Sequence, residues 1–141
     1  MLFRSAPSPR RCYAYGETIR RAVESYPGVE RVAVYASGGM SHFTAGYPWA
    51  HYEGPYTHGS INVDFDRWLM GTLQAGNGHA VGELTQGDII GNGEIELRSW
   101  ITMLGTIGDA RPELLVYEPF YRALMGMAVA YWDLVQDGTR S

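Results

Sequence analysis

The side chains with chemistry to offer in this 141-residue sequence are four histidines (His42, His51, His58 and His79), one cysteine (Cys12) and 15 carboxylates. His42 follows a β-branched run, Arg31 to Ser37, and a Gly38-Gly39 turn. Ligands of open α/β sheets gather beyond the carboxyl ends of strands, so an imidazole there is placed for proton transfer. The competing reading is a histidine that only hydrogen-bonds its own turn. Ser41 and His42 make a poor nucleophile–base pair, because adjacent side chains of an extended chain point apart. Glu96 precedes Trp100 by four residues, so on a helix the two share a face. Trp100 is expected to be buried, which makes Glu96 a candidate partly buried carboxylate, and such groups are rare unless paired or metal-bound. Alternatively, Glu96 is a surface glutamate pairing with Arg98. Glu94 falls on a different face of the same helix. His51 and His58 could form a metal pair, since imidazole suits iron, zinc or copper, but no fourth ligand is evident. Gly91-Asn92-Gly93 lacks the Lys and Ser/Thr of a phosphate loop and reads as a turn. A single cysteine excludes an internal disulfide framework and a Cys-based zinc site, and fits a reducing, cytoplasmic setting.

These groups need elements to hold them. Residues 10–26 read as a helix, with Cys12, Tyr15, Ile19, Ala22, Val23 and Tyr26 at three- and four-residue steps and Pro27-Gly28 as the stop. Residues 31–37 read as a buried strand feeding a tight turn. Residues 44–60 hold Tyr47, Trp49, Tyr52 and Tyr56 among glycines and prolines with no period, and read as a long functional loop. A helix is predicted over 62–73, capped by Asn62 or Asp64, with Phe65, Trp68, Leu69 and Leu73 as its apolar stripe. A short helix over 79–90 and a third over 94–104 follow. Residues 113–118 read as a strand. Residues 124–132 read as a strand rather than a buried helix, though periodicity alone does not decide. Alternation of helix and strand is the rhythm of an α/β sheet.

Length fits one domain of ordinary size. A hydrophobic share of 45% suffices for a core, and the 13% aromatic share is enough to line a pocket as well. The net charge of −4 disfavours nucleic acid and anionic membranes as partners. No apolar run approaches the roughly 20 residues that cross a bilayer. The first 11 residues lack the apolar stretch of a signal peptide.

Five segments in order resemble the class III, LigB-like extradiol ring-cleavage dioxygenases (the protocatechuate 4,5-dioxygenase type). They are the 10–22 helix, Gly38-Gly39-Met40-Ser41-His42, Ile61 to Arg67, Glu96-Leu97-Arg98-Ser99-Trp100, and Tyr117 to Arg122 with Gly126 to Trp132. The resemblance implies the C-terminal part of a three-layer αβα LigB-like domain with a mixed sheet, over residues 7–134, followed by a polar tail at 135–141. It implies that His42 is the acid/base histidine and that Glu96 is the carboxylate ligand of a non-haem Fe(II). Two histidine ligands would come from the N-terminal half of such a domain, a half this chain does not resemble. A partner chain or self-association is therefore expected, and the chain alone is expected to be inactive. Ser41, Tyr47, Trp49 and Tyr52 are the candidate contacts to a catecholic substrate. Two other readings remain. One is a non-catalytic relative that binds a small aromatic or a partner protein. The other is a self-sufficient metal protein in which His51, His58 or His79 joins Glu96.

Overall fold

Ser8 and Pro9 begin the first helix, the serine accepting a hydrogen bond from the Arg11 N–H and the proline sitting where no N–H is needed. The computed structural model describes residues 6–28, 31–42 and 61–134. In chain order these form α1 (Pro9–Glu24), α2 (Val63–Gln74), α3 (Gly78–Gly82), α4 (Gln86–Gly91), α5 (Leu97–Ile107), β1 (Leu114–Phe120), a 3-10 turn (Tyr121–Ala123) and β2 (Met125–Tyr131). Helices and strands are mixed, as an α/β chain requires. Among the described residues the sheet is a two-stranded antiparallel hairpin, with Leu114 opposite Tyr131 and Phe120 opposite Met125.

The core lies between the helices and one face of the hairpin. Met40, Leu69, Leu73, Val81, Ile89, Leu97, Ile101 and Leu104 are its fully enclosed apolar residues, and Leu115, Tyr117, Ala128 and Ala130 pack onto it from the strands. α1 and α5 approach closely at a pair of glycines. A Cβ on Gly16 would collide with the Thr102 carbonyl, and one on Gly105 with the Tyr13 carbonyl. This contact moves the buried face of α1 to Pro9, Cys12 and Gly16, while Tyr15, Val23 and Tyr26 of the expected stripe are exposed. In α2 the buried residues are Asp66, Leu69, Met70 and Leu73. Phe65 and Trp68 instead pack on each other, and Trp68 is exposed.

The expected helix over 79–90 is two helices. Thr85 and Asp88 form a reciprocal capping box that starts a new helix at Gln86. Residues 31–37, expected as a buried strand, join no ladder among the described residues and are mostly exposed, Tyr35 at 92%. This segment and residues 128–134 face each other across a groove of about 950 Å³ floored by Trp100, Met103 and Ile107. Among the described residues no helix is long and apolar enough to cross a membrane.

Candidate active site

The segment from Ser37 to His42 carries the site, and its backbone is fastened residue by residue. Ser99 Oγ donates to the Ser37 carbonyl at 2.6 Å and Trp100 Nε1 to the Gly38 carbonyl at 3.1 Å. Gly39 N–H donates to Glu96 Oε2 at 2.7 Å. Met40 N–H donates to the Gly126 carbonyl and Gly126 N–H to the Ser41 carbonyl, both at 2.9 Å. His42 N–H donates to the Gly93 carbonyl at 3.0 Å. Gly93 has φ +72°, and a Cβ there would press on the His42 backbone, so this contact requires glycine. The turn thus lies against three structures at once: the start of α5, the start of β2 and the 91–93 turn.

His42 is buried, and its Nδ1 lies 2.8 Å from the Met40 carbonyl. A carbonyl only accepts, so Nδ1 carries the proton and Nε2 of the neutral ring is bare. Nε2 faces Glu96 Oε1 at 3.8 Å. Two lone-pair groups therefore confront each other across a gap wider than a hydrogen bond, an arrangement suited to a cation or a transferable proton. Glu96 is half-exposed (47% of its side chain), with one oxygen held by Gly39 and the other open. It caps α5 rather than lying within it, so the expected sharing of a helical face with Trp100 does not set its direction. Arg98 does not pair with it either, donating instead to Pro7, Ile95 and Gln86.

Ser41 is fully buried with its hydroxyl engaged: it donates to Asp66 Oδ2 at 2.8 Å and accepts from Asn62 N–H at 2.7 Å. This placement makes it a brace of the turn, with its one donor proton committed to Asp66. Tyr47, Trp49 and Tyr52, with His51 and His58, lie outside the described residues. His79 sits at the start of α3, its Nδ1 2.8 Å from Asp109 Oδ2, and so is committed to a hydrogen bond of its own. Among the described residues no three His, Cys, Asp or Glu side chains cluster as a metal site.

Two buried carboxyls were not anticipated. Asp66 accepts from Ser41 N–H at 3.0 Å, from Ser41 Oγ and from Tyr117 Oη at 2.6 Å. Glu94 is fully enclosed, and neither oxygen has a hydrogen-bond partner. Burial pushes its pKa up to about 10, with the neighbouring Asp66 adding to the rise. Burial also raises the Tyr117 phenol, followed by the Asp66 interaction. Asp66 is legible as a carboxylate on the apolar stripe of α2, three, four and seven residues before Leu69, Met70 and Leu73. Glu94 gives no such signal, because it precedes the first turn of α5.

The sequence profile of LigB, the catalytic LigB subunit of aromatic ring-opening dioxygenase, matches residues 1–131. The chain is 56% identical over 36 residues to the gallate dioxygenase of Pseudomonas putida, covering 26% of this chain and 11% of that protein. It is 30% identical over 108 residues to Protein CA_C1420 of Clostridium acetobutylicum, covering 75% of this chain and 21% of that one. The matched chain thus spans about a tenth to a fifth of the length of these relatives.

Proposed function

The chain belongs to the LigB family of aromatic ring-opening dioxygenase catalytic subunits, and on that premise we propose that it contributes the acid/base histidine and one metal ligand to non-haem Fe(II)-dependent extradiol (meta) cleavage of a catecholic ring by dioxygen. The observation that carries this reading is the bare Nε2 of His42 facing the open Oε1 of Glu96 at 3.8 Å. Glu96 fits a hard divalent cation: its carboxylate is solvent-accessible, held by one backbone N–H and free at the other oxygen. The remaining ligands come from outside the described residues or from a second polypeptide.

Bound there, a divalent iron would supply an acidified catechol and a meeting point for substrate and dioxygen. The chain's own residues then handle protons and geometry. Nε2 of His42 takes a proton from a substrate hydroxyl, and the Nδ1–H···O bond to Met40 strengthens to hold the imidazolium. The same nitrogen returns the proton as the ring opens. The burial of His42 limits competition from bulk water. Tyr47, Trp49 and Tyr52 are the proposed walls for the substrate ring, and Ser41 acts by fixing the turn.

The groove between residues 31–36 and β2 supports a role for a partner chain, since apolar side chains line it and the segment beside it joins no ladder among the described residues. The reaction is tested by mixing Fe(II), a catechol and air with the chain, alone and together with the product of the next upstream reading frame, and following the yellow ring-opened product. Colour is expected in the combined sample. His42→Ala should lower the rate by about 100- to 10,000-fold. Unchanged turnover in that variant removes His42 as the base, and no colour in any mixture with catechols overturns the reading.

A further inference from the structure

We infer that Asp66 is a positioning residue for His42, holding the imidazole in its Nδ1–H form through the intervening Met40–Ser41 peptide; this rests on the reading of His42 as the acid/base group. The Ser41 N–H that binds Asp66 Oδ1 at 3.0 Å and the Met40 carbonyl that accepts from His42 Nδ1 at 2.8 Å belong to one peptide unit. That unit is planar and trans, so its N–H and C=O point in opposite directions along one rigid plate. Fixing the N–H on Asp66 therefore fixes the direction of the carbonyl that His42 needs. A carboxylate on the N–H also polarises the peptide and makes its oxygen a better acceptor.

The surroundings are arranged for this contact. Asp66 occupies the apolar stripe of α2 beside Leu69, Met70 and Leu73, where a buried carboxylate is unfavourable without donors. Two of its three donors come from Ser41, the residue next to His42. The third is the Tyr117 hydroxyl of β1, which shares Oδ2 with the Ser41 hydroxyl. At the start of β2, a Cβ on Gly126 would collide with Asp66 Oδ2, so the strand leaves the carboxylate its space. The same glycine clamps the backbone at Met40 and Ser41. Only the tilt of the peptide between those clamps is left for Asp66 to set.

The test is nitrogen NMR of the His42 ring in the full chain without metal or catechol, at a pH about two units above the ordinary histidine value of about 6.5. The wild-type ring should show one protonated nitrogen, Nδ1, and one bare nitrogen, Nε2. Asp66→Ala should pull the two shifts toward a tautomer average, and Asp66→Asn, which keeps an acceptor for the Ser41 N–H, should restore the one-sided pattern. Tyr117→Phe removes a part-buried bond to the same carboxylate but leaves the peptide in place, so it should lower stability without moving the ring shifts. A one-sided pattern that survives in folded Asp66→Ala overturns the proposal and leaves the base assignment standing. An Nε2–H ring in the wild type overturns both. Should Asp66→Ala not fold, hydrogen exchange of the Ser41 amide in the wild type decides: strong protection is expected, and exchange at the rate of an open loop amide rules the contact out.

Discussion

A carboxyl group enclosed without a donor, as at Glu94, folds as the neutral acid. Its ordinary value is 4.5 and its folded value is about 10. Between those values the unfolded chain releases a proton that the folded chain keeps, so stability is greatest below 4.5 and falls as pH rises. The fall is at most about 1.4 kcal/mol per pH unit. Glu94→Gln removes the titration while keeping the shape. Its urea-unfolding stability should therefore gain on the wild type between pH 5 and 9, and parallel curves would contradict the assignment. Glu96 is the contrasting case at the same scale. Two residues away, half-exposed and held by one N–H, it is free to serve as a ligand. Replacing it with Ala should abolish product formation in the combined assay without changing the melting temperature by more than a few degrees.

At the scale of elements, the crossing of α1 and α5 sets where the site's supports stand. Gly16 and Gly105 bring the helix backbones together, and Thr106 Oγ1 bonds the Gly16 carbonyl across the contact at 3.2 Å. Gly16→Ala should lower stability by about 1–3 kcal/mol through overpacking, despite the better helix propensity of alanine. Denaturant titration measures this, and a stabilised variant would show that the helices can part freely. Helix existence was legible in the periodic runs of α1, α2 and α5. Their buried faces were less so, because Gly16 carries no apolar signal and Asp66 carries the opposite one. The break at Thr85 was written in the capping box, a signal local to four residues that periodicity over 79–90 overrides on paper.

For the molecule as a whole, the outward face of the hairpin and the segment 31–36 leave apolar side chains uncovered. Tyr35 is 92% exposed, and Val32, Val129 and Tyr131 are each more than half exposed. Such a surface favours association. Sedimentation should find the wild-type chain self-associating, and a double variant, Tyr35→Glu with Val129→Glu, should shift it toward monomer. A wild-type chain that sediments as a single monomer at all concentrations would mean that these faces are tolerated in water.

By itself the sequence determined the helices α1, α2 and α5, the two closing strands, and the pair His42 and Glu96 as candidates, because turn residues, period and the Gly-Gly-Met-Ser-His run are properties of neighbouring residues. It marked residues 31–37 as a buried strand, which they do not form among the described residues, because a ladder needs a second chain segment and no local pattern supplies one. Only the tertiary structure decided that Nε2 faces Oε1, that Ser41 turns inward, and that Asp66 grips the peptide behind the imidazole. Those facts join residues 25 to 54 positions apart, and directions at such separations are fixed by packing and shared hydrogen bonds rather than by spacing along the chain.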